Sequence, residues 1–276
     1  MNDFGGLAFI GGGNMAAALI GGLIRRGAKP AQIAVADPSD ERRRRLAADF
    51  GVATFPDNVR AAEGAEVLVL SVKPQQLRAV ALGLAPKLAQ SPPLVVSIAA
   101  GIPHAALGRW LGPGVPVVRA MPNRPALKGS GATALYAAAG MGAPYRRRAE
   151  SIMRAVGTAV WVERESQMDT VTALSGSGPA YFFLLMEALE SAAHERGLPF
   201  EVAHQLTLAT ALGAAQMACA SAESLAALRE QVSSKGGTTE AALAVLDAAG
   251  LRATVARAIA AAERRSADLA AEYGAL

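Results

Sequence analysis

Leu7-Ala8-Phe9-Ile10-Gly11-Gly12-Gly13-Asn14-Met15-Ala16 is the stretch whose reading decides the fold. A short apolar run leads into G-x-G-x-x-A, and an apolar helical pattern follows from about Met15 to Arg26, closed by Gly27. In a strand–turn–helix unit, Gly11 makes the tight turn, Gly13 lets backbone approach a pyrophosphate, and Ala16 permits close packing of helix on strand. The helix N-terminus then faces the phosphates. A glycine-rich turn can also bind nothing. Here Asp37 ends the next β-type run, 21 residues after Ala16, and that context favours a dinucleotide.

Outward from this unit, β-type runs alternate with helical patterns: 7–11, 33–37, 52–55, 67–72, 94–98 and 115–120, with 132–137 and 158–162 extending the sheet. Such alternation predicts an α/β, Rossmann-type N-terminal domain with a mostly parallel sheet. Beyond about Arg164 the β alternation stops. Helical patterns then cover 168–174, 179–196, 199–220, 224–232, 239–249 and 251–273, giving an all-α C-terminal domain. The expected domains are therefore 1–164 and 165–276. Several of the later helices are apolar nearly all round, as at Tyr181, Leu184, Leu185, Ala188 and Leu189. Helices of that kind are buried in a bundle or against a second subunit.

Composition narrows the class. The single cysteine, Cys219, excludes an internal disulfide, fits a reducing compartment and reads as a small core residue. No apolar run approaches the roughly 20 residues of a membrane span. Met1-Asn2-Asp3-Phe4 enters a strand-like segment almost directly, so no secretory signal is expected and the cytoplasm is the expected location. The arginine runs 42–45, 146–148 and 264–265 sit in helical patterns beside acidic residues, and the net charge is only +4. They read as solvated helix faces rather than a nucleic-acid surface.

Nucleophilic and metal chemistry find little support, since His104, His194 and His204 are scattered. Small hydroxyls, glycines and helix starts are present instead. Leu174-Ser175-Gly176-Ser177-Gly178-Pro179-Ala180-Tyr181 reads as a tight loop delivering a helix N-terminus, with Ser175 or Ser177 as N-cap. Val232-Ser233-Ser234-Lys235-Gly236-Gly237-Thr238-Thr239 precedes another helix, with Thr238 or Thr239 as N-cap, and suits a carboxylate or phosphate. Simple capping is the plain alternative. Ser71-Val72-Lys73-Pro74-Gln75 ends the fourth β run, at the edge where open α/β sheets bind ligands. Asp37 would bind the ribose hydroxyls of NAD and repel a 2′-phosphate, whereas Ser39, Arg42 and Arg43 lie within reach of one.

Taken in order and at their spacing, IGGGNMAAALIGGL (10–23), SVKPQ (71–75), RAMPNRPAL (119–127), LSGSGPAY (174–181) and VSSKGGTTEAAL (232–243) closely resemble pyrroline-5-carboxylate reductases across nearly the whole chain. The resemblance implies reduction of 1-pyrroline-5-carboxylate to L-proline by NADPH, or NADH, on an N-terminal Rossmann domain followed by a helical dimerisation domain. It implies self-association as a dimer or decamer, without nucleic acid, membrane or metal. It assigns Gly11, Gly13, Asn14 and Met15 to the pyrophosphate, Asn58 to the adenosine side, and Val72, Lys73, Pro74, Ala99 and Ala100 to the cofactor cleft. The substrate carboxylate falls to Ser234, Gly237, Thr238 and Thr239, and the ring nitrogen to Thr172. On this reading the 175–179 loop shapes and closes the pocket rather than capturing the anion.

A protonated cyclic imine is already electrophilic, so orientation suffices and no strong protein acid is needed. Two departures stand out: Arg124 where the family usually has threonine, and Lys235 where it usually has proline. A β-hydroxyacid dehydrogenase would need a catalytic lysine on the first long helix of its second domain, and no lysine occurs between Lys128 and Lys235. A non-catalytic NAD(P) sensor would bind cofactor without turnover, and the substrate loops look intact.

Overall fold

The computed structural model describes residues 5–275, so Met1–Phe4 and the expectation that they carry no secretory signal lie outside the described residues. The first part runs β1 (Leu7–Ile10), α1 (Asn14–Arg25), β2 (Ile33–Ala36), α2 (Asp40–Phe50), β3 (Ala53–Phe55) and α3 (Asn58–Ala62). It continues with β4 (Val67–Leu70), α4 (Pro74–Leu88), β5 (Leu94–Ser97), α5 (His104–Leu111), β6 (Val117–Met121), β7 (Gly131–Tyr136), α6 (Ala143–Arg154) and β8 (Gly157–Trp161). All eight predicted β runs are strands of one sheet, ordered β3-β2-β1-β4-β5-β6-β7-β8.

Every neighbouring pair is parallel except β6–β7. Only a 3₁₀ turn at Arg124–Lys128 lies between β6 and β7, too little chain for a parallel crossover. The reversal of strand order falls between β1 and β4, which opens the ligand crevice of doubly wound sheets at their carboxyl ends.

The central strands are apolar on both faces because helices cover both. Leu7, Phe9, Val67, Val69, Leu94 and Val96 enter one core with Leu19, Ile20 and Ile152. Their neighbours Ala8, Ile10, Leu68, Leu70 and Val95 enter the other, with Leu77, Leu84, Leu107 and Trp110. Strand side chains alternate with period two, so continuous apolar runs such as VLVL at 67–70 can feed both cores. Each large apolar side chain fully buried this way contributes about 1.5–3 kcal/mol. At the far edge, Glu150 accepts hydrogen bonds from Trp161 Nε1 (3.0 Å) and Arg154 Nε (2.7 Å). Led by the indole hydrogen bond, these hold its carboxyl below the ordinary carboxylate range.

The helical part comprises α7 (Gln167–Val171), α8 (Gly178–Glu195), α9 (Phe200–Ala220), α10 (Leu225–Gln231), α11 (Thr238–Ala248) and α12 (Leu251–Ala275). Packing divides the chain into one unit that extends to Ser177 and resumes at Ala260, and a second formed by Gly178–Ile259. The expected 164/165 division marks the end of the β alternation just after β8. The packing groups α7 and the end of α12 with the sheet.

Within the second unit, α8 and α9 form a hairpin in which His204 Nδ1 lies 2.7 Å from Glu190 Oε2 and Phe200 stacks on the His204 ring. Only Gly178 and Ala203 are buried there. Phe182 is 66% exposed and Leu184 67%. Of the two expectations for these apolar helices, the bundle interior is thus not met within one chain. A contiguous apolar surface of this kind calls for a second protein surface.

Three local readings are corrected. Cys219 is exposed on α9, not a core residue. Gly237, not Thr238 or Thr239, is the N-cap of α11, and no side chain caps that end. The Ser175–Pro179 segment is not a loop: a π-helical turn spans Thr172–Gly176 directly after α7, and α8 starts at Gly178. Ser177 N–H donates to the Thr172 carbonyl at 2.8 Å, the i→i−5 bond of a π turn, so neither serine is an N-cap.

Candidate functional site

Glycine at 11 is required by geometry. Its φ is +100°, and a Cβ there would sit 2.7 Å from the Ser71 carbonyl oxygen and 3.1 Å from Val72 Cγ1. Ser71 locks the same place from β4: its hydroxyl donates to the carbonyls of Gly11 (2.7 Å) and Ile10 (3.0 Å). Gly13 differs. Its φ of −71° suits any residue, yet nothing lies within 4 Å of where its Cβ would be. Open space therefore faces the backbone at the start of α1, whose N-terminus has no side-chain cap and no acidic residue in its first turn. Asn14 is exposed and Met15 half-buried beside it. Uncapped N–H groups and the positive helix end fit a pyrophosphate.

Asp37 is only 2% exposed. Its Oδ2 accepts from Gly12 N–H and its Oδ1 from Ser39 N–H, both at 2.8 Å. The carboxylate thus ties the glycine turn to the start of α2. Arg43 Nη1 donates to the Asp37 carbonyl at 2.7 Å, while the Arg42 side chain, 3.5 Å from Asp37 Oδ2, is 61% exposed. Asn58 begins α3 just past β3, half-buried, with Asp57 as the N-cap. Val72, Lys73 and Pro74 follow β4: Lys73 is the exposed N-cap of α4, and Pro74 takes the first helical position, where its missing N–H costs nothing. Ala99 and Ala100 follow β5. The cofactor residues expected from sequence therefore lie at the carboxyl ends of β1 to β5.

Thr172 opens the π turn, and its hydroxyl donates to the Met168 carbonyl at 2.8 Å. The residue missed by sequence reasoning is Asn123, in the Met121-Pro122-Asn123 motif. It is buried; its Nδ2 donates to the Ser175 carbonyl (3.0 Å) and its Oδ1 accepts from Ala132 N–H (2.9 Å). A π turn leaves carbonyls without their usual i+4 partners, and Asn123 supplies one. Met121 Cε packs where a Cβ on Gly176 would be, 2.7 Å away, so the small residues of this turn serve close packing. The signal was an asparagine between two prolines just past a strand, at the edge that carries the site.

In the second unit, Gly236 (φ +72°) and Gly237 form a turn closed by Gly237 N–H donating to the Ser234 carbonyl at 2.9 Å. A Cβ on Gly237 would lie 2.5 Å from Ser234 Oγ. Ser234 and Thr238 are exposed, and Thr239 is half-buried. The Glu240 carboxylate accepts from Gly236 N–H at 2.5 Å, so an acid side chain of the same turn occupies that donor. Arg124 and Lys235 are exposed and form no ion pair among the described residues.

The signature described as pyrroline-5-carboxylate reductase dimerisation matches residues 165–269, and one described as NADP oxidoreductase coenzyme F420-dependent matches 6–101. A pyrroline-5-carboxylate reductase of Pseudomonas aeruginosa is 52% identical over 268 residues, 97% of this chain and 98% of that protein. The chain belongs to the pyrroline-5-carboxylate reductase family. The solved structure of the Coxiella burnetii pyrroline-5-carboxylate reductase superposes with a TM-score of 0.94 at 43% identity, covering 97% of this chain and 99% of that one. The Plasmodium falciparum pyrroline carboxylate reductase, solved with NADP bound, gives 0.84 at 27% identity over 96% and 98% of the two chains. This family member is accordingly an NAD(P)-dependent oxidoreductase with a Rossmann domain and a self-associating helical region. Among the described residues no helix is long and apolar enough to cross a membrane.

Proposed function

We infer that this protein reduces 1-pyrroline-5-carboxylate to L-proline, the last step of proline biosynthesis, preferring NADPH to NADH, in the cytoplasm and as a dimer or a decamer. The observation that carries the reading is the state of Thr172. Its hydroxyl hydrogen is committed to the Met168 carbonyl, so the oxygen offers only lone pairs to a ligand. Such a group accepts an N–H and selects the protonated ring nitrogen of a cyclic iminium, the form that takes up hydride without further acid catalysis.

Gly11, Gly13, Asn14 and Met15 hold the pyrophosphate, Asn58 the adenosine side, and Val72, Lys73, Pro74, Ala99 and Ala100 the nicotinamide side. Bound there, the reduced nicotinamide supplies a hydride. Ser234 and the first-turn N–H groups of Thr238 and Thr239 receive the substrate carboxylate, with Gly237 as the N-cap that leaves room for it, and Glu240 releases Gly236 as they do so. Residues 1–164 thus serve the cofactor, and 165–276 the substrate and self-association. Asn123 keeps Thr172 in place by holding the π turn.

Purified protein should oxidise NADPH when given 1-pyrroline-5-carboxylate, with Ser234→Ala and Thr239→Ala raising KM for that substrate while kcat changes little. Absence of turnover with either nicotinamide cofactor overturns the assignment, and unchanged KM in both variants removes the carboxylate site.

For the cofactor, Asp37 is turned inward by its two backbone hydrogen bonds, and Arg42, 61% exposed and held only by a 3.5 Å surface contact to Asp37 Oδ2, can swing out to meet a 2′-phosphate. Arg42→Ala should lower kcat/KM for NADPH about tenfold and leave NADH nearly unaffected, the worth of one charge-assisted contact. Asp37→Ser should weaken both cofactors alike, because it loosens the glycine turn rather than removing a discriminating charge. A changed NADPH/NADH ratio in Asp37→Ser would show that its carboxylate reads the ribose after all.

A further inference from the structure

The last turns of α12 touch both sides of the reaction centre assigned above. Glu263, Ser266, Leu269 and Tyr273 recur every three or four residues and so share one face of the helix. At one end of that face, Thr170 Oγ1 donates to Glu263 Oε1 at 2.5 Å, and Ser266 Oγ donates to Asp169 Oδ1 at 2.8 Å. Asp169 and Thr170 belong to α7, the helix that delivers Thr172. Ser266 is buried, the one buried polar residue of α12.

At the other end, Tyr273 accepts from Gln75 Nε2 at 2.9 Å, directly beside Lys73 and Pro74. Its ring and Leu269 pack on Gly101: a Cβ on that residue (φ +72°) would lie 3.5 Å from each. Arg109 Nη2 donates to the Gly274 carbonyl at 3.0 Å, and Pro103 Cγ would lie 2.9 Å from a Cβ on Gly274. Gly101 and Pro103 continue the loop that begins at Ala99 and Ala100.

We propose that the Glu263–Gly274 segment of α12 is a positioning brace. It fixes the distance between the helix that carries the imine-binding Thr172 and the two loops that carry the nicotinamide side, and Asp169, Ser266, Gln75 and Tyr273 are its positioning residues. From Ser266 to Tyr273 an α-helix spans about 10 Å and is stiff over that length. Hydride transfer depends steeply on the separation of donor and acceptor carbons, so the brace acts on the chemical step and not on capture of either ligand. The proposal rests on the assignment of Thr172 and the Val72–Ala100 loops to the reaction centre.

The test is steady-state kinetics of full-length Tyr273→Phe, Asp169→Ala and Asp169→Asn, each normalised to cofactor-titrated sites, beside Thr172→Val. Tyr273→Phe keeps the ring packing and loses the Gln75 contact; Asp169→Asn keeps an acceptor for Ser266, and Asp169→Ala does not. The expected result is kcat lowered about tenfold in Tyr273→Phe and Asp169→Ala, with KM for both ligands within about twofold, the pattern of a misplaced but bound reactant pair. The isotope effect on kcat with NADPH deuterated at the transferred position should rise, and Asp169→Asn should restore the wild-type rate.

Unchanged kcat in Tyr273→Phe and Asp169→Ala overturns the brace. So does a fall in melting temperature with normal turnover per titrated site, which would mark a merely structural role. Thr172→Val separates the two ideas: if it leaves kcat and KM unaltered, the reaction-centre assignment fails; if it is impaired while the brace variants are normal, only the brace fails.

Discussion

Gly11→Ala and Gly13→Ala are expected to raise KM for NADPH by about 100-fold each, roughly 2.7 kcal/mol and the scale of losing hydrogen bonds to a charged group, but for different reasons. At Gly11 the new methyl would face the Ser71 carbonyl carbon at 2.9 Å and its oxygen at 2.7 Å, both backbone atoms that cannot rotate away. The backbone there also sits at φ +100°, which L-residues rarely adopt. Relief requires β1 and β4 to part at the crevice, which breaks the Ser71 hydroxyl bonds to Gly11 and Ile10 and moves the start of α1. The melting temperature should fall as well. Gly13→Ala has no such conflict, since its φ is ordinary and its Cβ would enter open space. That variant should therefore melt like the wild type and lose cofactor affinity alone, because the methyl takes the room a pyrophosphate needs. Isothermal titration with NADPH together with thermal melts checks both. Unimpaired binding in Gly13→Ala would remove the pyrophosphate from this turn.

The largest effect on stability should come from Gly157→Ala. Gly157 starts β8 at φ +149°, and a Cβ there would overlap the carbonyl oxygen and the amide nitrogen of Gly131, its partner on β7. Gly131 is held to glycine for its own reason, since a Cβ there would lie 2.8 Å from Ala126 Cβ and 2.9 Å from the Val156 carbonyl oxygen. Gly131 N–H also donates to the Val156 carbonyl at 2.8 Å, so the collision falls at the first rung of the ladder. Backbone strain and overpacking, each about 1–3 kcal/mol, add here to roughly 4 kcal/mol. For a chain of this size that corresponds to a fall in melting temperature of about 8–16 °C. A shift under about 3 °C would mean that the β7–β8 edge is not paired in this register. Gly83→Ala is a suitable control, since it lies within α4 and no atom stands within 4 Å of its Cβ position.

Much of the architecture was legible because its signals are local. The central β runs, 7–10, 33–36, 67–70 and 94–97, could be read as strands from apolar continuity, since a parallel sheet covered on both faces leaves its inner strands few polar positions to interrupt them. The glycine turn was legible because positive φ and close approach leave glycine few substitutes. The helices after Arg164 were legible from their apolar period, although their expected caps were not the ones formed.

What failed locally was decided elsewhere in the chain. Ser175-Gly176-Ser177-Gly178-Pro179 has the composition of a loop. It is held as a π turn because Asn123, 52 residues away, satisfies the Ser175 carbonyl and Met121 fills the space over Gly176. Cys219 and its apolar neighbours on α9 read as core, yet within one chain they face outward. A sequence shows that a face is apolar but not which surface covers it.

By itself, then, the sequence determined the order and type of elements, the strand–turn–helix that receives a dinucleotide, and through its motifs the reductase family. Those depend on backbone preferences and short-range spacing, which a linear chain expresses directly. Only the tertiary structure decided that Asp37 turns inward to hold Gly12 and Ser39, that the Thr172 hydroxyl is left as an acceptor, and that the end of α12 ties α7 to the cofactor loops. Each of those depends on which groups meet across long stretches of chain, and on hydrogen bonds that a buried polar atom must find wherever the fold provides them.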